Sequence, residues 1–175
     1  MDLSTAIPVW DIAARLAAAA VCGAALGLDR EIRGKAAGLR THTLVAISAA
    51  VTTLVALELY WGMAGKGTGG GDMDPTRVIQ GIAQAIGFIS AGVMFRAGTT
   101  VRGATTAALI WMAGALGIAC GAGFYVLAGM ALALCLAVTI VFSYALRWMP
   151  EPAKPANSIK PANSIKPANS IKPED

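Results

Sequence analysis

Charge is the scarce commodity in this chain. Of 175 residues only 14% are Asp, Glu, Lys or Arg, against 56% hydrophobic residues, and there is one histidine. A soluble domain carries about a quarter charged residues, so a water-facing globular surface is excluded. From Gly103 to Leu146 the chain has no charged residue at all. The three cysteines, Cys22, Cys120 and Cys135, form no CxxC pair and sit inside apolar runs. That pattern offers neither a disulfide framework nor a zinc site and reads as small packing residues. Walker, HExxH and GxSxG motifs are absent, and no nucleophile has an evident base, so no enzyme and no cofactor are expected. The start, "MDLSTAIPVWD", has no basic n-region of the kind a cleavable signal peptide carries. A net charge of +4 without interleaved aromatics gives no nucleic-acid footprint.

Long apolar runs stand where charge is missing, and the mean hydropathy is +0.63. A membrane helix needs about 20 predominantly apolar residues. Five such runs are predicted, at residues 9–28, 43–60, 78–95, 104–120 and 124–146, with the last two divided at "GAG", Gly121 to Gly123. The fold class is therefore an all-α polytopic membrane protein of about five transmembrane helices in the lipid bilayer. Arg30, Arg33, Lys35 and Arg40 lie between helices 1 and 2, Arg96 and Arg102 between helices 3 and 4, and Arg147 and Lys154 after helix 5. The opposite loops hold only Lys66 and Arg77. The positive-inside rule then predicts the N-terminus out and the C-terminus in. Residues 1–150 form the membrane domain. Residues 151–175 contain "PANSIK" three times in succession, cannot build a core, and are expected to be a disordered tail, whether native or not.

The charge that exists is concentrated in "GLDREIRGKAAGLRTH", residues 27–42. Topology accounts for Arg33 and Lys35, read as lipid-facing. It does not account for Asp29 and Glu31, because carboxylates contribute little to orientation. Asp29 and Glu31 are expected to pair with Arg96 or Arg102, with Arg40 closing the site. "LRTHTLVAI" and "VRGATTAAL" suggest a weak two-helix repeat in which Arg40 and Arg102 are equivalent, beside Thr41, His42, Thr105 and Thr106 at helix starts. The candidate ligand or ion site, or structural charge cluster, is thus Asp29, Arg30, Glu31, Arg40, Thr41, His42, Arg96, Arg102, Thr105 and Thr106. A cation held by carboxylates and an anion held by arginines both remain open. Asp11 and Arg15, four apart on helix 1, can neutralise one another. The small-xxx-small spacings Gly23/Gly27 and Gly117/Gly121 allow close helix approach and would permit a homo-oligomer.

"GLDREIRGKAAGLRTHTLVAISAA", "GFISAGVMFR" and "TTVRGATTAALIWMAGALGIACGAGFY" occur in that order. Together they resemble the MgtC/SapB family of bacterial membrane proteins over roughly residues 12–146. The resemblance implies an inner-membrane protein of about five spans, in a family linked to magnesium limitation, acid resistance and virulence. It implies a regulator acting on other membrane proteins, the ATP synthase among them, rather than an established magnesium transporter. The alternative is a small ion channel or transporter with a charged site at the cytoplasmic ends of helices 1 to 4. The family motifs fall on Asp29, Arg30, Glu31, Gly38, Leu39, Arg40, Thr41 and His42; on Gly87, Gly92 and Arg96; and on Val101, Arg102, Gly103, Thr105, Thr106, Ala107 and Trp111. Some members continue into a soluble cytoplasmic domain, where this sequence has the PANSIK tail.

Overall fold

The structure, a computed structural model, describes residues 5–64, 74–97 and 100–147. The tail and its repeats lie outside the described residues. Five helices follow one another: α1 (Val9–Ile32), α2 (Leu39–Ala64), α3 (Pro75–Gly92), α4 (Ala104–Gly121) and α5 (Tyr125–Arg147). Between α3 and α4 a small antiparallel hairpin pairs β1 (Phe95–Ala97) with β2 (Thr100–Arg102), Arg96 lying opposite Val101. The sequence reading carried helix 3 through Phe95 and did not foresee this hairpin.

Helices α1, α2, α4 and α5 are long and apolar enough to cross a membrane. At 24 residues α1 is ~36 Å long, more than the ~30 Å of a hydrocarbon core. The fifth helix, α3, falls short of that apolarity because Arg77, Gln80 and Gln84 interrupt it. It is amphipathic instead. Ile82, Ile86 and Ser90, at spacings of four, are its buried stripe, and the two isoleucines pack with Ile110 of α4 and Ala49 of α2. Its start is fixed by Pro75 at the first helical position and by the Asp74 carboxylate, which accepts from Thr76 N at 2.9 Å.

The centre of the bundle is α1, α2 and α4, and small residues bring them together. A Cβ on Gly23 would meet the His42 carbonyl oxygen at 2.7 Å, and one on Gly27 would meet Leu39 Cα at 2.6 Å. On α4, Gly117 lies against the Ala46 backbone and Gly121 against Ala50 O, 2.8 Å from where a Cβ would stand. Both small-xxx-small pairs therefore pack on α2 within the protomer. Around them Ala19, Cys22, Leu26, Leu116 and Cys120 form the main core cluster, with the Cys22 and Cys120 sulfurs 3.9 Å apart. Helix α5 joins this cluster chiefly through Ala128 and turns Val126, Met130, Leu134 and Val141 outward.

Polar contacts lock the end of the bundle remote from residues 27–42. Arg15 pairs with Asp11 at 2.8 Å, as their spacing predicts, and also donates to Gly121 O at 2.9 Å, tying α1 to the end of α4. Glu58 of α2 makes a second link at this end. Its carboxylate accepts from the backbone of Ala6 and Ile7 at 2.8 and 2.7 Å and pins the segment before α1.

Candidate functional site

At the other end, α1 runs one turn further than the apolar run suggests, to Ile32, and this extension organises the charge. Asp29 and Arg33 become i,i+4 neighbours on one helical face and pair at 2.9 Å. Glu31 points to the next helix and accepts from Leu39 N at 3.0 Å, satisfying an orphan donor in the first turn of α2. Gly38 leaves room for that carboxylate, which a Cβ there would strike. His42 is fully buried, with Nδ1 2.8 Å from Gly38 O. A carbonyl can only accept, so Nδ1 carries the hydrogen and Nε2, unpartnered among the described residues, is left as an acceptor.

Arg30 is the exception in this group. It points into the bundle, is only 6% exposed, and donates from Nη2 to Thr106 Oγ1 of α4 at 2.6 Å. Its Nε is buried without a partner among the described residues. Arg30 lines a cleft of about 890 Å³ together with Asp29, Arg33 and Lys35. The first turn of α4 enters from one side, with Gly103, Thr105 and Thr106, and α5 forms the other wall with Val138, Thr139, Phe142 and Ser143. Gly103 takes φ +88° and packs so closely on the Val93 carbonyl that a Cβ would collide with it. The turn into α4 thus requires glycine, and no side chain caps that helix. Among the described residues no group of three or more His, Cys, Asp or Glu could hold a metal ion.

The model of the MgtC family matches residues 16–148, which include every element of this cleft. The chain belongs to the MgtC family. Protein MgtC of Brucella abortus (strain 2308) is 42% identical over 131 residues, 75% of this chain and 51% of the relative. Protein SapB of Bacillus subtilis is 37% identical over 122 residues, 66% of this chain and 49% of the relative. YhiD of Escherichia coli (strain K12), which bears a provisional label as a magnesium transporter, is 35% identical over 128 residues, 73% of this chain and 59% of the relative. The chain spans about half the length of the curated MgtC relatives it matches. No solved structure matches it. Family and helices together make this a multi-pass membrane protein of the MgtC/SapB type.

Within this MgtC-family domain the candidate residues divide. Asp29, Arg30, Thr105 and Thr106 meet at the cleft. Glu31 and His42 instead serve the join between α1 and α2. Arg40 and Thr41 lie exposed on the first turn of α2, and Arg96 and Arg102 lie exposed on the hairpin. The expected pairing of Asp29 and Glu31 with Arg96 or Arg102 is therefore not what forms. Arg40 and Arg102 are not equivalent either, since one is inside a helix and the other on a strand before one. Arg33 and Lys35, read as lipid-facing, line the cleft. Thr139 and Ser143 were missed. Two hydroxyls four apart in the C-terminal half of an otherwise apolar helix were the available signal.

Proposed function

We propose that this chain is a bacterial inner-membrane regulator that acts by binding another membrane protein during adaptation to low magnesium, acid or host stress. The observation that carries the reading is the division of the bundle into a closed centre and apolar flanks. Between the two polar ends, α1, α2 and α4 meet through glycine and alanine at backbone distance, so these three helices are closed against one another. Outside, α5 presents Leu127, Met130, Leu134 and Val141 to lipid or to a neighbouring helix. The relatives' names, MgtC and SapB, support the family setting. The end carrying Arg30, Arg33 and Lys35 faces the cytoplasm by the positive-inside rule, which puts the N-terminus outside. The chain performs no catalysis.

A transport function is the second reading, favoured by the polar cleft and by the label on YhiD. Purified protein in liposomes loaded with a magnesium indicator separates the two. A regulator gives no flux above empty liposomes. Photo-crosslinkers at outward positions such as Leu134 then give discrete adducts with one membrane protein in cells. Reproducible flux that disappears in Asp29→Asn would replace regulation by transport.

A further inference from the structure

We propose that the cleft between α1, α4 and α5 binds a phosphate group, supplied either by an anionic phospholipid headgroup or by free inorganic phosphate. This goes beyond the regulatory reading and is independent of it, since a regulator and a transporter could both hold such a ligand. Three cations, Arg30, Arg33 and Lys35, face one carboxylate, Asp29, and that carboxylate is hydrogen-bonded to Arg33. The cleft is left with a surplus of positive charge, which disfavours a cation as ligand.

Arg30 supplies the decisive feature. Its guanidinium is buried against a neutral hydroxyl, and its Nε has no partner among the described residues. A charge in that position is costly unless something of opposite sign completes its shell. The start of α4 points to what that is. This 18-residue helix begins at Gly103 with no side-chain cap, so the N–H groups of Ala104, Thr105 and Thr106 open its positive end into the same cleft. Backbone N–H groups, a guanidinium fork, an ammonium and the Thr105 and Ser143 hydroxyls make a many-donor cradle suited to a tetrahedral oxyanion. The single donor of Thr139 is already engaged, because its O–H is shared between the Cys135 and Leu136 carbonyls. Val138 and Phe142 add an apolar wall against which a glycerol or acyl stem would lie.

The test uses the full chain, delipidated in a maltoside detergent, in two arms. The first follows thermal unfolding against inorganic phosphate, with sodium chloride holding ionic strength constant. The second counts phosphatidylglycerol against phosphatidylethanolamine retained in native mass spectrometry. Arg33→Gln/Lys35→Gln removes two charges from the cleft. Arg40→Gln/Arg96→Gln removes two exposed charges outside it. The cleft variant should weaken binding about tenfold or more and the outside variant should not. Saturable stabilisation by phosphate identifies the free anion; selective lipid retention alone identifies the headgroup. Arg30→Lys, which keeps the charge and loses the fork, gives a second reading if the double variant misfolds, and it too should bind more weakly. Absence of saturable binding in both arms, or equal losses in the two double variants, would overturn the proposal.

Discussion

Thr106→Val isolates the contact on which the charged end of the bundle turns. Valine has nearly the volume of threonine, so the substitution leaves no cavity and deletes only the oxygen that accepts from Arg30 Nη2 at 2.6 Å. A hydrogen bond to a charged group contributes about 1.5–3 kcal/mol, and here its loss also leaves a buried guanidinium with fewer partners. The expected cost is ~3 kcal/mol, the upper end of that range, because the donor is a buried charge. Thr106→Ser keeps the oxygen and should recover most of it. In Asp29→Ala the partly exposed i,i+4 contact with Arg33 should account for only ~0.5 kcal/mol, so a larger cost would report the carboxylate's effect on Arg30. Unfolding in detergent followed by tryptophan fluorescence reads each variant. The double variant Arg30→Met/Thr106→Val should be at least ~1 kcal/mol more stable than the summed single effects, because the stranded charge goes with its partner. A silent Thr106→Val, or strict additivity of the pair, would refute the reasoning.

Gly117→Ala drives a methyl into the Ala46 backbone and should cost ~1–3 kcal/mol. Gly129→Ala on α5 meets open space and should be neutral or stabilising by up to ~1 kcal/mol in the same unfolding assay. Copper–phenanthroline should join Cys22 to Cys120 within one protomer, seen as linked fragments on a non-reducing gel after cleavage of a protease site inserted at residues 65–73; no link would contradict the α1–α4 contact. The Thr76 hydroxyl and backbone N–H hold the Asp74 carboxyl below its ordinary range. A depressed carboxylate pKa stabilises the fold above the ordinary aspartate range, and that contribution is lost as pH falls through the folded value. Hydrogen-exchange protection at the start of α3, taken relative to the intrinsic amide rate at each pH, should therefore fall in acid. Asp74→Asn, whose amide oxygen caps without titrating, should remove that pH dependence.

The helices were legible because apolar runs of membrane length leave few alternatives, and the break at Gly121–Gly123 was legible because Gly123 takes φ +85° between α4 and α5. The partners within the bundle were not. Alanine and glycine occur all round α1, α2 and α4, so no stripe marks the buried face, and α3 could not be ranked below α4. The charge pairing failed for a smaller reason. Ending helix 1 at Leu28 leaves Asp29 and Arg33 in a loop, where long-range partners are attractive. One more helical turn makes them neighbours, and the arginines assigned to Asp29 are left on an exposed hairpin. Thr105 and Thr106 were placed correctly at a helix start, but only the structure tells which of them faces inward.

The order of the helices along the chain has a consequence for biosynthesis. The groove on α2 at Ala46 and Ala50 is filled by Gly117 and Gly121, and Arg30 finds Thr106, only when α4 arrives. Until then a nascent chain holds an α1–α2 hairpin with an unfilled small-residue face and an arginine lacking its acceptor. Helix α3 leaves the ribosome earlier and can settle on α2 at Ala49, yet its packing is complete only when Ile86 meets Gly114 of α4. Assembly is therefore gated by the fourth helix. Premature termination anywhere before it yields a membrane-inserted species that is unfinished at its centre, with the features a membrane protease would recognise.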